Sequence, residues 1–410
     1  MEKYIYFILM VMMTSSCYRA KKTQNSDSFE KGTFGYDLAY LSQKDAGLTV
    51  LSSDDGKTQI IVSAKYQGKV FTSTANGLSG ASFGFVNYDA LDSNIVDEHI
   101  NAYGGENRFW LGPEGGRYSI YFTPDSEQVF DHWHTPKPFD VEAWDLVSSD
   151  KKNAVMNKKM QVTNYLGNQF NLNVERKISL LEPSEVNHIL GIEANPDLNM
   201  TAYQTENVIT NLNDFQWTEK TGTICIWMLD MFNPAPDAVT VIPFNDGDEA
   251  LMGKIVTSDY FGEIPADRLK LLGNVIYLKT DGNYRSKLGL NGKRTKSIAG
   301  NYDTASKRLT ITTFDVDPDA VYLNQEWNPA KDPLTGDALN AYNDGPLEDG
   351  SIMGPFLELE SVSPAAFLKP AQSLMHRHLV FHFSGEEKDL NPISEKLLGV
   401  STSKIKNVFQ

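Results

Sequence analysis

Short runs of β-branched and aromatic residues recur along most of the chain, bounded by Gly, Pro, Asn or Asp. Intervals of about 8–20 residues between such runs are typical of a sandwich or barrel. The pattern predicts strands over residues 59–64, 69–74, 82–87, 108–111, 117–122, 174–181, 201–212, 222–229, 238–244, 274–279 and 308–316. Helical signals are few, over 265–272 and 392–398, each of which begins at a proline. No βαβ alternation occurs, so we expect an all-β, antiparallel fold with few short helices.

Near the C-terminal end, alternation sorts ionisable residues onto strand faces. Because successive side chains of a strand point to opposite faces, His376, His378 and His382 share one face of a predicted strand. By the same rule, Glu358 and Glu360 share one face of the strand before it. If the two strands pair through the loop between them, the histidines and glutamates lie on one sheet surface.

The N-terminal end has the pattern of an export signal. An apolar run of about ten residues follows Lys3 and is too short to cross a ~30 Å hydrocarbon core. Three small residues then precede Cys17, as in a lipobox whose cysteine is lipidated. We therefore expect a signal peptide over residues 1–16, a flexible tether over 17–32, and a protein exported to the cell envelope, periplasmic or at the outer membrane. The alternative is an ordinary secreted protein in which Cys17 is removed or incidental.

Composition narrows the class further. With Cys17 lipidated or removed, Cys225 is the one cysteine left with a free thiol, so the mature chain can form no internal disulfide and is held by its core. The net charge is −16, and the chain has no long Lys/Arg-rich run. A nucleic-acid partner is excluded on these grounds. No dinucleotide fingerprint, P-loop or zinc motif occurs, so no cofactor is predicted.

Two motifs carry a resemblance to a known superfamily. Residues 104–114 read Gly-Gly-x-x-Arg-Φ-Trp-x-x-Pro-Glu, and a Glu-x-Glu-x-x-x-Pro stretch from Glu358 is followed by Leu-x-Pro and His376. In this order they resemble the galactose mutarotase-like superfamily and, more narrowly, a bacterial family of unknown function within it, mostly lipoproteins. The resemblance covers residues 33–385. It implies a single β-supersandwich domain over residues 33–410, with two large antiparallel sheets and a concave cleft.

The resemblance also implies catalytic roles. The best-known members are aldose 1-epimerases, in which a histidine is the general acid toward the sugar ring oxygen and a late glutamate is the general base. Here Glu358 is the expected base, and Glu360 stands where the family has Gln. His132 or His134 is the expected acid, although the usual histidine signatures of the epimerases are absent. Each of these four residues has an alternative. The glutamates are otherwise the solvated side of a strand, and the histidines have a structural hydrogen-bond role or form a weak metal site.

Other residues are expected to bind the substrate. In the resemblance, the strand of Arg108, Trp110 and Glu114 lines the cleft, and Arg108 can hold a sugar hydroxyl or carboxylate bidentately. A structural Arg–Glu pair is the alternative. Trp133 offers a ring for a pyranose face.

Late-strand histidines complete the expected site. His376 and His378 are the remaining residues that we expect to bind the sugar. With His382 they extend over about 20 Å of strand, too far to converge on one ion, and no metal is predicted. Isolated Arg268, Arg285 and Lys287 are read as surface charges, the alternative being an anionic sugar site.

These observations lead to one expected partner and two functional hypotheses. The partner is a carbohydrate, and the membrane is reached through the lipid on Cys17. The cleft either epimerises a sugar by general acid–base catalysis, or binds a glycan without chemistry in an accessory lipoprotein of a polysaccharide-use system. A lyase acting on an acidic polysaccharide is a third class. The sequence leaves the oligomeric state open.

Overall fold

The computed structural model describes residues 28–347 and 349–410. Within these ranges the chain forms antiparallel strands joined by loops and a few short helices. The strands are β1 (Thr49–Ser52), β2 (Gln59–Ser63), β3 (Lys69–Thr74), β4 (Arg108–Gly112), β5 (Asp145–Ser149), β6 (Asn153–Thr163), β7 (Gln169–Leu180), β8 (Asn199–Asn211), β9 (Cys225–Phe232), β10 (Val239–Pro243), β11 (Leu269–Leu272), β12 (Val275–Lys279), β13 (Ser286–Asn291), β14 (Ile298–Asp303), β15 (Arg308–Phe314), β16 (Asp337–Asn343), β17 (Leu357–Val362) and β18 (Ser373–Ser384). The helices are α1 (Phe34–Lys44), α2 (Tyr88–Asp92), α3 (Lys137–Asp140), α4 (Pro183–Leu190), α5 (Glu249–Met252), α6 (Glu387–Leu398) and α7 (Thr402–Asn407).

Two large sheets face each other. A ten-stranded sheet has the order β11-β12-β10-β14-β15-β18-β8-β7-β6-β5, and a five-stranded sheet has the order β13-β16-β17-β9-β4. Strands β1, β2 and β3 form a third, smaller sheet. One apolar core contains residues from both large sheets, which makes them the layers of a sandwich. The predicted all-β, antiparallel class is therefore confirmed.

Burial patterns show where each strand lies in the sandwich. Strand β7 alternates between buried and more exposed residues, as expected for a strand with one face against the core. Strands β9 and β17 are buried on both faces, because their second face forms the floor of a cleft. This doubly covered pair positions the candidate site.

Helices cover the outer face of the ten-stranded sheet. Apolar residues of α4, α6 and α7 pack there against Leu379, Phe381 and Phe383 of β18. The odd-numbered residues of β18 thus face the helices, and its even-numbered residues face the five-stranded sheet. Helix α1 packs separately, on the small β1-β2-β3 sheet.

Several predicted elements differ from the structure. Residues 82–87 form isolated bridges, because their backbone bonds alternate between different neighbours, such as Ser73 O for Phe83 N and Met231 O for Phe85 N. Residues 117–122 are irregular, although their apolar side chains reach the core. Residues 265–272 are a turn that leads into β11, so the predicted helix was wrong.

Other elements extend or add to the prediction. The helix over 392–398 is confirmed as the C-terminal part of α6, which begins earlier, at Glu387. Strands β5, β6, β13, β14 and β16 and helices α1, α4 and α7 were not predicted. Residues 1–27, which include the predicted signal peptide and Cys17, lie outside the described residues. In the part of the chain that the structure describes, no helix is long and apolar enough to span a membrane.

Candidate functional site

The candidate site lies on the outer face of the five-stranded sheet. A row of cross-strand neighbours runs across its centre: Arg108 lies opposite Leu229, Leu229 opposite Glu360, and Glu360 opposite Asn340. Trp110 lies opposite Trp227 in the same way. Since antiparallel neighbours project to the same face, the register alone gathers these side chains on one surface.

Two glycines shape the approach to this surface. Gly104 and Gly105 precede β4 with φ of +81° and +127°, values that favour glycine. A Cβ on Gly104 would lie 2.3 Å from the carbonyl oxygen of Phe85. The Gly-Gly of the sequence motif is therefore needed for the chain to bend closely past residue 85 and deliver Arg108 to the cleft.

The carboxylates of β17 are held by two cations. The Arg108 guanidinium donates to Glu358 Oε1, and Lys287 Nζ lies 2.9 Å from Glu360 Oε2. Trp227 Nε1 donates to the same Glu360 oxygen at 2.8 Å. All these groups are buried, so each carboxylate is oriented by charge-assisted bonds in a low-dielectric setting.

Burial perturbs the protonation of the site. Burial raises the pKa of Glu358 to about 7, although the Arg108 charge opposes the shift. Burial also raises the pKa of Glu114. For Lys287, burial lowers the pKa, but the Glu360 and Glu114 carboxylates raise it by more, so that the net pKa is higher than usual. One cleft thus contains a fixed cation beside two carboxyl groups, Glu358 and Glu114, whose pKa values are raised by burial.

Polar atoms remain without partners at this surface. Within the described residues, Glu360 Oε1, Arg108 Nε and Trp133 Nε1 are buried and form no hydrogen bond. Arg108, Trp133 and Glu360 all line one cavity of about 120 Å³, together with Glu114 and Glu358. Unpaired buried polar atoms are costly, and hydrogen bonding in the cavity wall is incomplete at these three atoms.

Aromatic rings form the walls of the cavity. Trp110 meets Trp227 edge-on, with ring centroids 5.6 Å apart. Trp133 stacks on Tyr121 at 5.7 Å and on Trp327 at 6.0 Å. Flat apolar surfaces therefore stand beside the charged floor, as in sites that bind a molecule with both apolar faces and polar edges.

Most of the predicted site residues come together here. Arg108, Trp110, Glu114, Trp133, Glu358 and Glu360 all line the cavity. Strand alternation and the family motif predicted the site residues that lie on the sheet. Lys287 was predicted to be a surface charge, but it is buried. Trp227, Trp327 and Tyr342 were missed, because nothing local marks them: Trp327 lies in a loop that reaches the cleft through the fold.

The loop histidines lie elsewhere. Neither His132 nor His134 lines the cavity, although Trp133 between them does. His132 is exposed, with Nδ1 2.9 Å from Glu127 O. His134 has Nδ1 2.9 Å from Glu98 O, and its ring stacks on His99 at 4.9 Å. The structure therefore does not bring these histidines to the carboxylates, contrary to the expected acid–base pair.

His376 and His378 are also separated from the cleft. The expected pairing of the two late strands was wrong: β17 and β18 belong to different sheets, so their histidine and glutamate faces lie on different surfaces. Both histidines are fully buried between the sheets and bond to Ser361 Oγ, at 2.8 Å each. A role in binding a cleft ligand directly does not fit this placement.

These histidines belong to a buried polar chain. His378 Nε2 lies 2.6 Å from Asp230 Oδ2, and Asp230 Oδ1 accepts from Asn107 Nδ2 at 2.6 Å. Asp230, His378 and Ser361 follow one another as in a catalytic triad, but all three are inaccessible to solvent. The chain therefore joins the two sheets beneath the cleft and offers no accessible nucleophile.

Metal binding finds no support in this geometry. Among residues 28–347 and 349–410, no three His, Cys, Asp or Glu side chains are grouped to hold a metal ion.

The chain matches one protein family and is similar to several solved structures. One protein-family model matches residues 32–409. Solved structures similar to this one include the Slr1438 protein from Synechocystis sp. PCC 6803, with 13% identity over 83% of this chain and 96% of that chain and a TM-score of 0.48. A galactose mutarotase-like protein from Lactobacillus casei ATCC 334 has 11% identity over 82% and 99%, with a TM-score of 0.45. A galactose mutarotase related enzyme from Lactobacillus acidophilus has 8% identity over 82% and 97%, with a TM-score of 0.44.

The last two of these structures carry galactose mutarotase in their names. No curated protein sequence matches the chain.

Proposed function

The chain belongs to the matched family, a family of unknown function (DUF6786), and we propose that it binds a carbohydrate in the cleft of the five-stranded sheet. One observation carries the proposal: Glu360, whose buried Oε1 has no hydrogen-bond partner within the described residues, lines a cavity walled by tryptophans. A pyranose has apolar ring faces that stack on indole and hydroxyl edges that donate to carboxylates. Trp110 and Trp227 supply the first kind of surface, and Glu360 the second.

Isothermal titration calorimetry with a panel of neutral hexoses and their oligosaccharides tests this proposal. Wild-type protein is expected to bind at least one of them with a Kd of millimolar or tighter. The Glu360→Gln variant, which keeps the shape of the side chain, is expected to bind at least ten-fold more weakly, because hydrogen bonds to charged acceptors contribute about 1.5–3 kcal/mol. Absence of heat across the whole panel contradicts the proposal.

A second candidate function is sugar mutarotation, favoured by the raised pKa values of Glu358 and Glu114. In its deprotonated form Glu358 takes the proton of the anomeric hydroxyl. Protonated Glu114 gives a proton to the ring oxygen as the bond between that oxygen and the anomeric carbon breaks. Closure on the other face of the open-chain aldehyde reverses both transfers. The acid in this scheme is a carboxylic acid and not a histidine.

Polarimetry separates this chemistry from simple binding. If the scheme holds, the rotation of freshly dissolved α-sugar decays faster with wild-type protein than with the Glu358→Gln variant. If a sugar that binds in calorimetry shows no faster decay, binding without chemistry is the function.

The place of action is proposed from the N-terminal pattern. The protein is exported and anchored to the cell envelope through a lipid on Cys17, so that the cleft meets sugars outside the cytoplasm. The apolar run before Cys17 supports this.

A further inference from the structure

A larger compartment adjoins the cavity over Glu358 and Glu360. We call it the outer compartment; it has a volume of about 740 Å³, against about 120 Å³ for the inner cavity. Its own lining includes Tyr260, Gln325, Asn328, Asn340 and Asp344. The volume lies high in the ~300–1000 Å³ range of small-molecule pockets, more than one sugar ring requires.

The two compartments share part of their lining. Glu114, Arg285, Lys287, Phe261 and Trp327 line both of them. A ligand seated over the carboxylates can therefore extend past these residues into the outer compartment without leaving the cleft.

Exposed aromatic rings are concentrated at this junction. Phe130 is 56% exposed, Phe261 47% and Trp327 36%, and all three line both compartments. Trp327 is held in place by stacking on Trp133 and by an edge contact with Phe122 at 5.3 Å. Exposed but fixed rings are stacking platforms, and large exposed apolar groups on one surface mark a binding site.

Polar groups of the outer compartment are suited to uncharged hydroxyls. Within the described residues, Gln325 Oε1 accepts from Glu114 N at 3.3 Å and Asn328 Oδ1 from Ala330 N at 3.0 Å, while neither side-chain NH₂ group donates. The carboxylates are already engaged: Glu326 pairs with Lys331, and Asp344 accepts from Tyr342. The free amide donors can bond to sugar hydroxyls, and the Arg285 guanidinium, which donates to Tyr342 Oη and has no carboxylate partner among the described residues, is a further donor at the junction.

We propose that the cleft binds a saccharide of at least two linked rings. One terminal ring lies over Glu358 and Glu360, and the next stacks on Trp327 in the outer compartment. This inference rests on the proposed carbohydrate binding and adds the length of the ligand.

Calorimetry with glucose, galactose and their neutral disaccharides and trisaccharides tests it. Wild-type protein is expected to bind a disaccharide at least ten-fold more tightly than its monosaccharide, because the second ring adds a stacking contact. The Trp327→Ala variant, whose ring lines both compartments, is expected to weaken the disaccharide at least five-fold more than the monosaccharide. Asn328→Ala, an exposed position without ring contacts, is expected to weaken the disaccharide in the same selective way, by about three-fold, since one hydrogen bond contributes roughly 0.5–1.5 kcal/mol.

Three outcomes overturn the proposal, and they differ from one another. If the monosaccharide and the disaccharide bind with equal affinity, carbohydrate binding is supported, but the proposed site for a second ring is contradicted. If octyl glucoside binds as tightly as the disaccharide, and Trp327→Ala lowers both affinities equally, the outer compartment is a site for an apolar group. Absence of binding by every sugar ends the proposed function together with this inference.

Discussion

Lys287 Nζ lies 2.9 Å from Glu360 Oε2, and their side chains are 10% and 1% exposed. These residues come from strands β13 and β17, which are separated in the sheet by β16. The pair therefore ties three strands together across the cleft floor and fixes the carboxylate that we assign to the sugar.

Breaking this pair from one side is expected to destabilise the fold. Lys287→Met leaves the Glu360 carboxylate buried without its cation, and we expect a loss of about 3 kcal/mol in the free energy of unfolding by urea. The matched control is Lys307→Met at the exposed Lys307–Glu386 pair, with an expected change under about 1 kcal/mol. Adding Glu360→Gln to Lys287→Met is expected to recover part of the loss, and a double variant as unstable as the sum of both singles contradicts the coupling.

The raised pKa of Glu358 gives the stability a pH dependence. Burial raises it to about 7, above the unfolded value, so the folded state binds the proton more tightly. The stabilisation is then fully present below the unfolded pKa and is lost as the pH rises through about 7. Between pH 5 and pH 8 we expect wild-type protein to lose roughly 2 kcal/mol more stability than Glu358→Gln. Parallel curves for the two proteins, measured by urea unfolding at each pH, contradict this expectation.

The loop histidines are expected to be dispensable for sugar binding. His132→Asn and His134→Asn keep a polar group near the backbone carbonyls of Glu127 and Glu98, and we expect the Kd of the bound sugar to stay within about two-fold. A ten-fold loss of sugar affinity in either variant, as large as that expected for Glu360→Gln, would support that histidine as a residue of the sugar site.

Ser361 is expected to matter for stability through the buried chain. Ser361→Ala leaves His376 Nε2 and His378 Nδ1 without their shared hydroxyl, at a cost of about 2 kcal/mol. Burial lowers the pKa of His376 to about 3, so the ring is neutral and cannot relieve the loss by charging at neutral pH. Urea unfolding measures the change, with Ser126→Ala at an exposed hydroxyl as the control, and a loss no larger than the control's speaks against the bridging role. A serine-directed fluorophosphonate is expected to leave Ser361 unlabelled.

Lipidation of Cys17 is expected to hold the protein in the membrane fraction. Cells grown with radiolabelled palmitate are expected to label the wild-type protein and not Cys17→Ser, which is expected to appear in the soluble fraction. The buried Cys225→Ser serves as the control that keeps the label. Label retained by Cys17→Ser excludes lipidation at this cysteine.

The positions of strands, and the side chains that share a strand face, could be predicted wherever the local sequence alternates between polar and apolar residues. Alternation in β18 separates His376, His378 and His382 from Leu379 and the following phenylalanines, and the structure keeps that division. The partner of each face was not predictable, because it depends on which sheet a strand joins, and the connection between β17 and β18 crosses from one layer to the other. Alternation, combined with an assumed pairing of β17 and β18, therefore placed the histidines on the same surface as the glutamates. In the structure the two sets of residues belong to different sheets.

By itself, the sequence determined the all-β antiparallel class, the charged face of β17 and the glycines before β4, since each depends on neighbours along the chain. Tertiary structure alone decided that Lys287 pairs with Glu360, that Trp227 and Trp327 join the cleft, and that His132 and His134 stay outside it. These relationships join residues far apart in the chain, and only the packing of sheets and loops brings such residues within hydrogen-bond distance.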